Sequence, residues 1–320
     1  EILIHRPQLF ISGHSHILKI MYDDKLNCLH MNPGAAGKQG WHKVRTIIRF
    51  IIDGTEMKDA EVIELGNKKK TKKYFFMSAT KIQLLGHATF KVTTPENKII
   101  IVDPWLSANE FIPAHLKKFD DTDLFLITHG HDGHFDLEVL DIIKNGKTKI
   151  IANPMVRWYL IENNCPLSCI EPMNLGGTIF LKDLNVRVTM VNGFHISHIN
   201  ITESQARFPH MSVGFILHLS DGVRIYFAGD TCVFSDMKLI GELYKPTIAA
   251  LPIGDRYTMG PLEASHAIRL LNVKQVIPFH YGTYSQLTGT PEELINLTTD
   301  INGLQMHILK AGDVIEVPTD

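Results

Sequence analysis

Cysteine is scarce in this sequence. There are four in 320 residues: Cys28, Cys165, Cys169 and Cys232. They are too few and too scattered for a disulfide framework, and the lack of a CxxC pair argues against a thiolate metal site. We expect all four to be reduced and structural.

Long hydrophobic runs and an excess of one charge are also missing. No stretch approaches the ~20 apolar residues that span a bilayer, and no segment resembles a signal peptide. Lys and Arg number 32 against 34 Asp and Glu, a formal net charge of -2, so no basic face for broad nucleic-acid binding is expected. These absences predict a cytoplasmic protein with neither nucleic acid nor membrane as partner. A homo-oligomer is compatible with the sequence.

Histidine, in contrast, is abundant. Its 17 copies outnumber the 8 Tyr and 3 Trp together, and three of them fall in ITHGHDGHFD, residues 127–136. The run DLFLIT predicts a buried strand, and HGHDGH predicts the loop between this strand and a helix. The polar side chains of the loop would then gather at the carboxyl end of a strand, where α/β folds often place their sites.

Neutral imidazoles are good ligands for zinc-type ions. His129 and His131 are two residues apart and can point at one ion, while His134 can face a neighbouring ion. A solvated histidine-rich loop is the simpler alternative. We favour metal binding because the sequence offers further ligands downstream.

Three downstream donors each follow an apolar run: His195 in MVNGFHISH, Asp230 in IYFAGDT and His280 in VIPFHYG. An aspartate between two cations can bridge them, and two cations that share a water lower its pKa enough to leave hydroxide at neutral pH. Each residue alone has a simpler explanation, such as a hydrogen-bonded core histidine or a Gly-Asp-Thr turn that caps a helix. Together they predict a hydrolytic centre that needs no serine or cysteine nucleophile.

From Lys81 onward, β-rich runs alternate with amphipathic segments, which predicts two sheets flanked by helices. Strands are predicted in KIQLLG, ATFKVTT, KIIIVDP, DLFLITH and KTKIIANP, and helices in DLEVLDIIKN and PMVRWYLIENN. Asp221-Gly222 lies between two β-rich arms and predicts a hairpin. MHILKAGDVIEV is predicted as a single closing strand.

These motifs, with LLGHATF, IIVDPWLSAN and ALPIGDRYTMGPLEA, resemble those of the metallo-β-lactamase superfamily, whose signature is HxHxDH followed by a later His, Asp and His. The closer resemblance, over about residues 79–317, is to its branch of uncharacterised metal-dependent hydrolases related to L-ascorbate 6-phosphate lactonase. It implies an α+β fold: a four-layered αββα sandwich with a dinuclear site at one edge of the sheets. The implied cofactors are two divalent metal ions, zinc first, with manganese or iron as alternatives.

The resemblance also implies a ligand set, carried over residue by residue. The first metal would be held by His129, His131 and His195, the second by His134 and His280, and Asp230 would bridge both.

Gly133 departs from the pattern, because the family places an aspartate immediately before the third histidine of the signature. The neighbouring Asp132 can reach the metal if the glycine turns the loop with φ > 0. Otherwise the second site is weakened and carries a water in place of the carboxylate. We favour a weakened but usable second site.

The motifs and the resemblance predict a metal-dependent hydrolase that uses a metal-bound hydroxide on a small ester-like substrate. The resemblance alone favours a lactone or a phosphorylated sugar derivative. The rival from another class is a non-catalytic, degenerate metal-binding protein of the same fold, which Gly133 would explain. A nuclease of the superfamily is disfavoured, because a basic patch is lacking.

The candidate catalytic residues are Asp230, Asp132 and Tyr281, the last as a donor to a developing oxyanion or simply a packing residue. Asp103 and Asp255 are candidates for orienting a ligating imidazole, with turn formation as an equal alternative.

Other histidines need placing. His87 in the GHA motif can face the site, and His198 is an alternative to His195, which we prefer because it follows the strand MVN directly and fits the family pattern. His218 and His266 are expected to be structural or solvent-facing.

The amino-terminal part is different in character. PQLFISGHSH and HMNPGAAGKQG resemble the carboxyl-terminal end of a calcineurin-like metallophosphoesterase, in which His14 and His16 would be metal ligands. The family's DxH, GD and GNH motifs are missing. We therefore interpret residues 1–67 as a partial α/β segment of that family, residues 68–76 as a Lys-rich linker and residues 77–320 as the hydrolase domain. A solvated helix end is the alternative for the lysine run.

Overall fold

The computed structural model describes residues 7–13, 17–34, 46–54, 56–64, 79–202 and 205–317. The chain divides into two compact units, Glu1–Met77 and Ser78–Asp320.

The first unit contains two small sheets. One has the order β1-β3-β2, with β1 parallel and β2 antiparallel to β3; the other is a two-stranded antiparallel sheet. Their strands are β1 (Leu9–Ile11), β2 (Leu18–Asp23), β3 (Cys28–Pro33), β4 (Thr46–Asp53) and β5 (Glu56–Glu64). His14, His16 and the lysine run lie outside the described residues, so the phosphoesterase segment and the linker stay predictions.

The second unit contains two larger mixed sheets. The first sheet has the order β10-β9-β8-β7-β6-β18 and the second runs from β11 to β17 in chain order. The strands of the first sheet are β6 (Lys81–Gly86), β7 (Thr89–Thr93), β8 (Ile99–Val102), β9 (Leu124–Ile127), β10 (Lys149–Ala152) and β18 (Val314–Glu316). Those of the second are β11 (Thr178–Leu181), β12 (Val186–Thr202), β13 (Gln205–His218), β14 (Arg224–Phe227), β15 (Ile248–Pro252), β16 (Gln275–Phe279) and β17 (Gln305–Met306).

Among the described residues of this unit, five α-helices accompany the sheets: α1 (Val139–Ile142), α2 (Pro154–Glu162), α3 (Met237–Tyr244), α4 (Pro261–Leu271) and α5 (Pro291–Asn296). Short 3-10 helices occupy Ala114–Leu116, Ile143–Asn145 and Leu167–Cys169. No helix in the described part of the chain is long and apolar enough to cross a bilayer.

Alternation of side chains along the strands sorts the core into layers. In β9, Leu124 and Leu126 face a core shared by the two sheets, whereas Phe125 packs with residues of α1 and α2 on the outer face. In β14, Phe227 faces the shared core and Tyr226 packs with residues of α3, α4 and α5. The layers therefore follow the order helix, sheet, sheet, helix.

The hairpin predicted at Asp221-Gly222 joins β13 to β14, with Gly222 at φ +91°. The single closing strand predicted in MHILKAGDVIEV is wrong. It is two strands, β17 in the second sheet and β18 in the first. Between them the Asp313 carboxylate accepts a hydrogen bond from the amide of Lys310, and Gly312 has φ +96°, so the chain turns and crosses from one sheet to the other.

Candidate metal centre

All six predicted metal ligands lie together at one end of the two sheets. His129, His131 and His134 occupy the loop after β9, Asp230 follows β14 and His280 follows β16 directly. In the second sheet β14 and β16 both run parallel to β15, so Asp230 and His280 leave the sheet at the same edge, and the loop after β9 of the first sheet meets them there.

His195 reaches the same place by a different route. The sequence predicted that it follows a strand, but β12 continues through it to Thr202. The register of β12 with β13 shifts between Asn192 and Ile196. Such irregularities re-aim side chains beside functional sites, and this one explains how a residue in mid-strand points at the cluster.

The Asp230 carboxylate lies at the centre of the cluster and is 2 % exposed. Its Oδ2 is 3.3 Å from Nε2 of His134 and 3.3 Å from Nε2 of His280. The same oxygen is 3.8 Å from Nε2 of His129 and 3.9 Å from Nε2 of His195. One carboxylate oxygen thus lies beside four imidazoles that come from three segments of the chain: the loop after β9, the strand β12 and the end of β16.

Two sets of nitrogen donors flank this carboxylate. We call His129, His131 and His195 the first set, since one ring nitrogen of each lies within 4.8 Å of the others. Nδ1 of His131 is 3.0 Å from Nε2 of His195. The second set is His87, His134 and His280, which meets the same criterion.

Asp103 fixes the ring orientation of one member of each set. Its Oδ2 accepts from the Thr128 hydroxyl at 2.8 Å and from Nδ1 of His134 at 2.9 Å. The Thr128 hydroxyl has one hydrogen and gives it to Asp103, so it accepts from Nδ1 of His129 at 2.9 Å. In both rings Nδ1 then carries the hydrogen, and Nε2 is the nitrogen aimed at Asp230. The orienting role predicted for Asp103 therefore has a geometric basis.

Most of these rings are neutral. Burial, reinforced by neighbouring imidazoles, lowers the pKa of His131 to about 4 and the pKa of His87 to about 2. Burial also lowers the pKa of His129 and of His195. Neutral imidazole is the form that ligates metals.

The pair of His134 and Asp230 is charged. Burial disfavours the protonated form of His134, but the carboxylates of Asp230 and Asp103 outweigh it and raise the pKa to about 10. Burial also disfavours the Asp230 carboxylate, yet His134 and His280 hold its pKa well below the usual value. A cation that binds at Nε2 of His134 has to displace a proton, so metal binding and proton release are coupled.

The donor set fits divalent cations. Nε2 of His129 and Oδ1 of Asp230 are buried and have no hydrogen-bond partner within the described residues. Leaving such atoms unpaired in a protein interior is costly. A divalent cation bound beside Asp230 would satisfy both atoms. Imidazole and carboxylate are ligands suited to zinc-type ions.

Comparison with known proteins decides the family. A model described as the beta-lactamase superfamily domain matches residues 81–280. The chain belongs to the metallo-β-lactamase superfamily. A UPF0173 metal-dependent hydrolase of Rubrobacter xylanophilus is 41% identical over 242 residues, covering 74% of this chain and 96% of the relative. A second such hydrolase, from Koribacter versatilis, is 38% identical and covers 74% of this chain and 98% of the relative.

A solved structure shows the same fold. Igni18, a metallo hydrolase of Ignicoccus hospitalis, has a TM-score of 0.63 and 27% identity, covering 74% of this chain and 98% of its own. The chain is therefore a metal-dependent hydrolase with the metallo-β-lactamase fold. The narrower relation to L-ascorbate 6-phosphate lactonase stays a prediction.

A small cavity opens over the donors of this hydrolase. Its volume is about 330 Å³, within the range of small-molecule sites. The residues that line it are His87, His131, Asp132, His134, His195, His198, Asp230, Tyr257, His280, Tyr284 and Leu287. Tyr257 and Tyr284 were not singled out from the sequence, because nothing in YTMG or GTYS distinguishes a cavity tyrosine from a surface one.

Several predicted residues lie elsewhere. Asp132 is exposed and lines the cavity, but it belongs to neither donor set. Tyr281 is half-buried, packs with the core beside α3 and α4, and does not line this cavity. Asp255 forms a turn in which its amide donates to the carbonyl of Met259, and no contact joins it to the described imidazoles of the two sets.

The remaining histidines divide as follows. His198 lies beside His131, with ring centroids 5.1 Å apart, and lines the cavity without joining the first set. His218 is 3.3 Å from the Thr189 hydroxyl, and His266 is exposed on α4.

Gly133 has φ +95°, a conformation that L side chains rarely adopt. A Cβ at this position would lie 3.5 Å from Cδ2 and 3.6 Å from Nε2 of His87. The glycine does turn the loop with positive φ, as one prediction required, yet the ring next to it is His87 and the Asp132 side chain faces solvent.

Proposed function

We propose that this hydrolase cleaves a small ester-like substrate, with a lactone as the favoured class. The observation that supports this is the composition of the cavity. Its described lining contains imidazoles, two tyrosines, two carboxylates and one leucine, with no serine or cysteine to act as nucleophile. Bound divalent cations would polarise the ester carbonyl and lower the pKa of a water.

The chain's own residues orient and complete this chemistry. Asp230 links the two donor sets and would keep two cations close together. Asp132, exposed at the cavity mouth, is placed to move a proton between the cavity and solvent. The oxyanion role predicted for Tyr281 is better served by Tyr284, whose side chain lines the cavity and whose phenol carries its hydrogen at neutral pH.

The lining also bears on the substrate's charge. No lysine or arginine is among the described residues of the cavity wall. A phosphate group on a sugar derivative is normally held by such cations. We therefore rank an uncharged or singly charged lactone above a phosphorylated sugar derivative.

A substrate panel tests this ranking. The zinc-loaded protein should be assayed on sugar-acid lactones, the same lactones carrying a phosphate, and simple phosphodiesters. Turnover should be highest on the unphosphorylated lactones. Activity confined to the phosphodiesters would overturn the proposal, and activity confined to the phosphorylated lactones would reverse the ranking. Zinc is our proposed metal, and reloading with manganese or iron tests that choice.

We also propose that residues 77–320 form the hydrolase domain and need no contribution from residues 1–76. The superfamily model matches residues 81–280, and the second compact unit begins at Ser78. Both donor sets lie within this unit. A variant that begins at Met77 should retain the metal content and the lactone turnover of the full chain within about threefold. Loss of either would show that residues 1–76 contribute to folding or to the site.

A further inference from the structure

We propose that His87 is the third imidazole ligand of the second metal position, beside His134, His280 and the shared Asp230. It takes the place left by Gly133, where the HxHxDH signature has an aspartate. The inference rests on the proposed function only in requiring a metal centre. It makes no assumption about the substrate.

The position of His87 supports ligation. It lies in the turn between β6 and β7, is 7% exposed and lines the cavity. Its ring centroid is 4.4 Å from that of His280 and 5.8 Å from that of His134. One nitrogen from each of these three rings lies within 4.8 Å of the others, the same criterion that the first set meets.

The orientation of the ring points the same way. Nδ1 of His87 is 2.7 Å from the hydroxyl of Thr283. A hydroxyl that accepts from Nδ1 leaves the lone pair on Nε2, which is the arrangement that partner groups impose on metal-ligating histidines. Nε2 is also the nitrogen that a Cβ on Gly133 would approach to 3.6 Å. A carboxylate at position 133 and the imidazole of His87 would therefore compete for one place.

The surroundings hold this ring in position. His87 has φ +54°, a left-handed backbone conformation that is strained for residues other than glycine. Trp105 and Tyr284 contact the ring edge to face, at centroid distances of 6.1 and 5.5 Å. The ring is held by the backbone conformation, by the hydrogen bond at Nδ1 and by two aromatic neighbours. A residue that only filled space in the cavity wall would not need all three.

The substitution changes the chemistry of the second position. Its ligands become three neutral imidazoles and one carboxylate, where the signature would supply a second carboxylate. Imidazole-rich sites select zinc and cobalt, whereas carboxylate-rich sites suit magnesium and manganese. We therefore expect the second position to accept zinc or cobalt and to discriminate against manganese.

The rival explanation is that His87 only packs against His280 and Tyr284. His87→Phe separates the two, because phenylalanine keeps an aromatic ring but has no donor atom. After chelation and reloading with zinc, the parent should hold two ions per chain and His87→Phe one, measured by elemental analysis. His198→Ala, a cavity histidine outside both sets, is the matched control and should hold two. Two ions in His87→Phe would overturn the proposal.

The visible absorption of bound cobalt gives a second measurement, which would not change if His87 served only in packing. His87→Ala loaded with cobalt should lose the visible absorption of one of its two ions. Free imidazole, which fits the space left by the side chain, should restore it. If His87→Ala loses the visible absorption of one cobalt ion and imidazole does not restore it, ligation by the His87 ring is contradicted.

Thr283 provides a test that leaves every proposed ligand in place. Thr283→Val removes the partner of Nδ1 and should weaken the second ion about 10- to 100-fold, the usual effect of losing such a partner. Thr283→Ser keeps the hydroxyl and should bind as the parent does. Equal second-ion affinity in both variants would contradict the orientation argued for His87. Loss of the second ion in His87→Phe and its weakening in Thr283→Val, with no lactone turnover in the parent, would sustain His87 as a ligand and reject only the proposed substrate.

Discussion

The two donor sets are built from the same side chains but in different ways. In the first set, two of the three histidines lie on one short loop, and β12 supplies the third. In the second set, the three histidines come from the β6–β7 turn, the loop after β9 and the end of β16. A set concentrated on one loop leaves a sequence motif, whereas a set drawn from three distant segments exists only once the sheets have packed. Asp230 joins the two and depends on both.

Loss of the shared carboxylate should have the largest effect. Asp230→Ala removes the carboxylate that lies between both sets, so we expect neither ion to be retained after dialysis and turnover to fall roughly 1,000-fold or more. Elemental analysis and a lactone assay give the result. A variant that kept one tightly bound ion would show that the sets are independent of Asp230.

Removing one histidine from each set should separate the two positions. We expect His129→Ala to lose the ion of the first set and His280→Ala to lose that of the second, each with roughly 100-fold lower turnover because both ions act on one substrate. In the parent, a chelator should remove the ions in two unequal steps, the second set first, since its ligands come from more distant segments. Simultaneous loss in a single step would remove the distinction between the sets.

Much of this arrangement could be predicted from the sequence, and the reasons are local. The strands β6 to β10 are short runs rich in apolar residues, and the hairpin at Asp221-Gly222 follows from turn chemistry. Three histidines within six residues identify the loop after β9 as a candidate metal site. Asp230 and His280 could be found because each ends an apolar run. The family that the motifs suggested is confirmed by the superfamily model and the relatives.

What the sequence could not provide depends on contacts between distant segments. His195 was expected after a strand, but only pairing with β13 shows that β12 continues and that its register shifts there. His87 was expected to face the site, yet its closeness to Gly133 and Thr283 requires the finished fold. The split of the closing strand between two sheets depends on which edges are open, which no local pattern encodes.

Orientation of the ligands should matter less than their presence. Asp103→Asn keeps the shape of the side chain but removes the charge that receives hydrogen bonds from Thr128 and His134. We expect both ions to bind about 10- to 100-fold more weakly. Thr128→Val removes the hydroxyl that joins Asp103 to His129 but keeps the direct bond between Asp103 and His134, so it should weaken the first position more than the second. Competition with a chromophoric chelator measures both constants. Equal weakening of both ions by Thr128→Val would contradict the separate anchoring of the two sets.

Gly133→Asp should have the smallest effect on metal binding. If the second position lacked a ligand, a restored carboxylate would tighten it. However, φ at residue 133 is +95°, so any side chain there is strained by roughly 1–3 kcal/mol, and the place that a carboxylate would fill is beside Nε2 of His87. We therefore expect lower thermal stability in Gly133→Asp, with second-ion affinity within about threefold of the parent.

Gly133→Ala measures the strain alone, because it adds a Cβ but no charge. Asp132→Ala completes the comparison: an exposed carboxylate outside both donor sets can be removed without changing the metal content, although turnover should fall if it carries a proton to solvent. Calorimetric titration of the second ion into all three variants decides the matter. A much tighter second ion in Gly133→Asp than in Gly133→Ala would mean that the second set is missing a carboxylate and that His87 does not supply its third ligand. Loss of that ion in Asp132→Ala would mean that the loop rearranges so that the Asp132 carboxylate binds the second ion. The second set would then carry one more negative charge than the first, and this charge, rather than the sequence separation of its ligands, would distinguish the two sets.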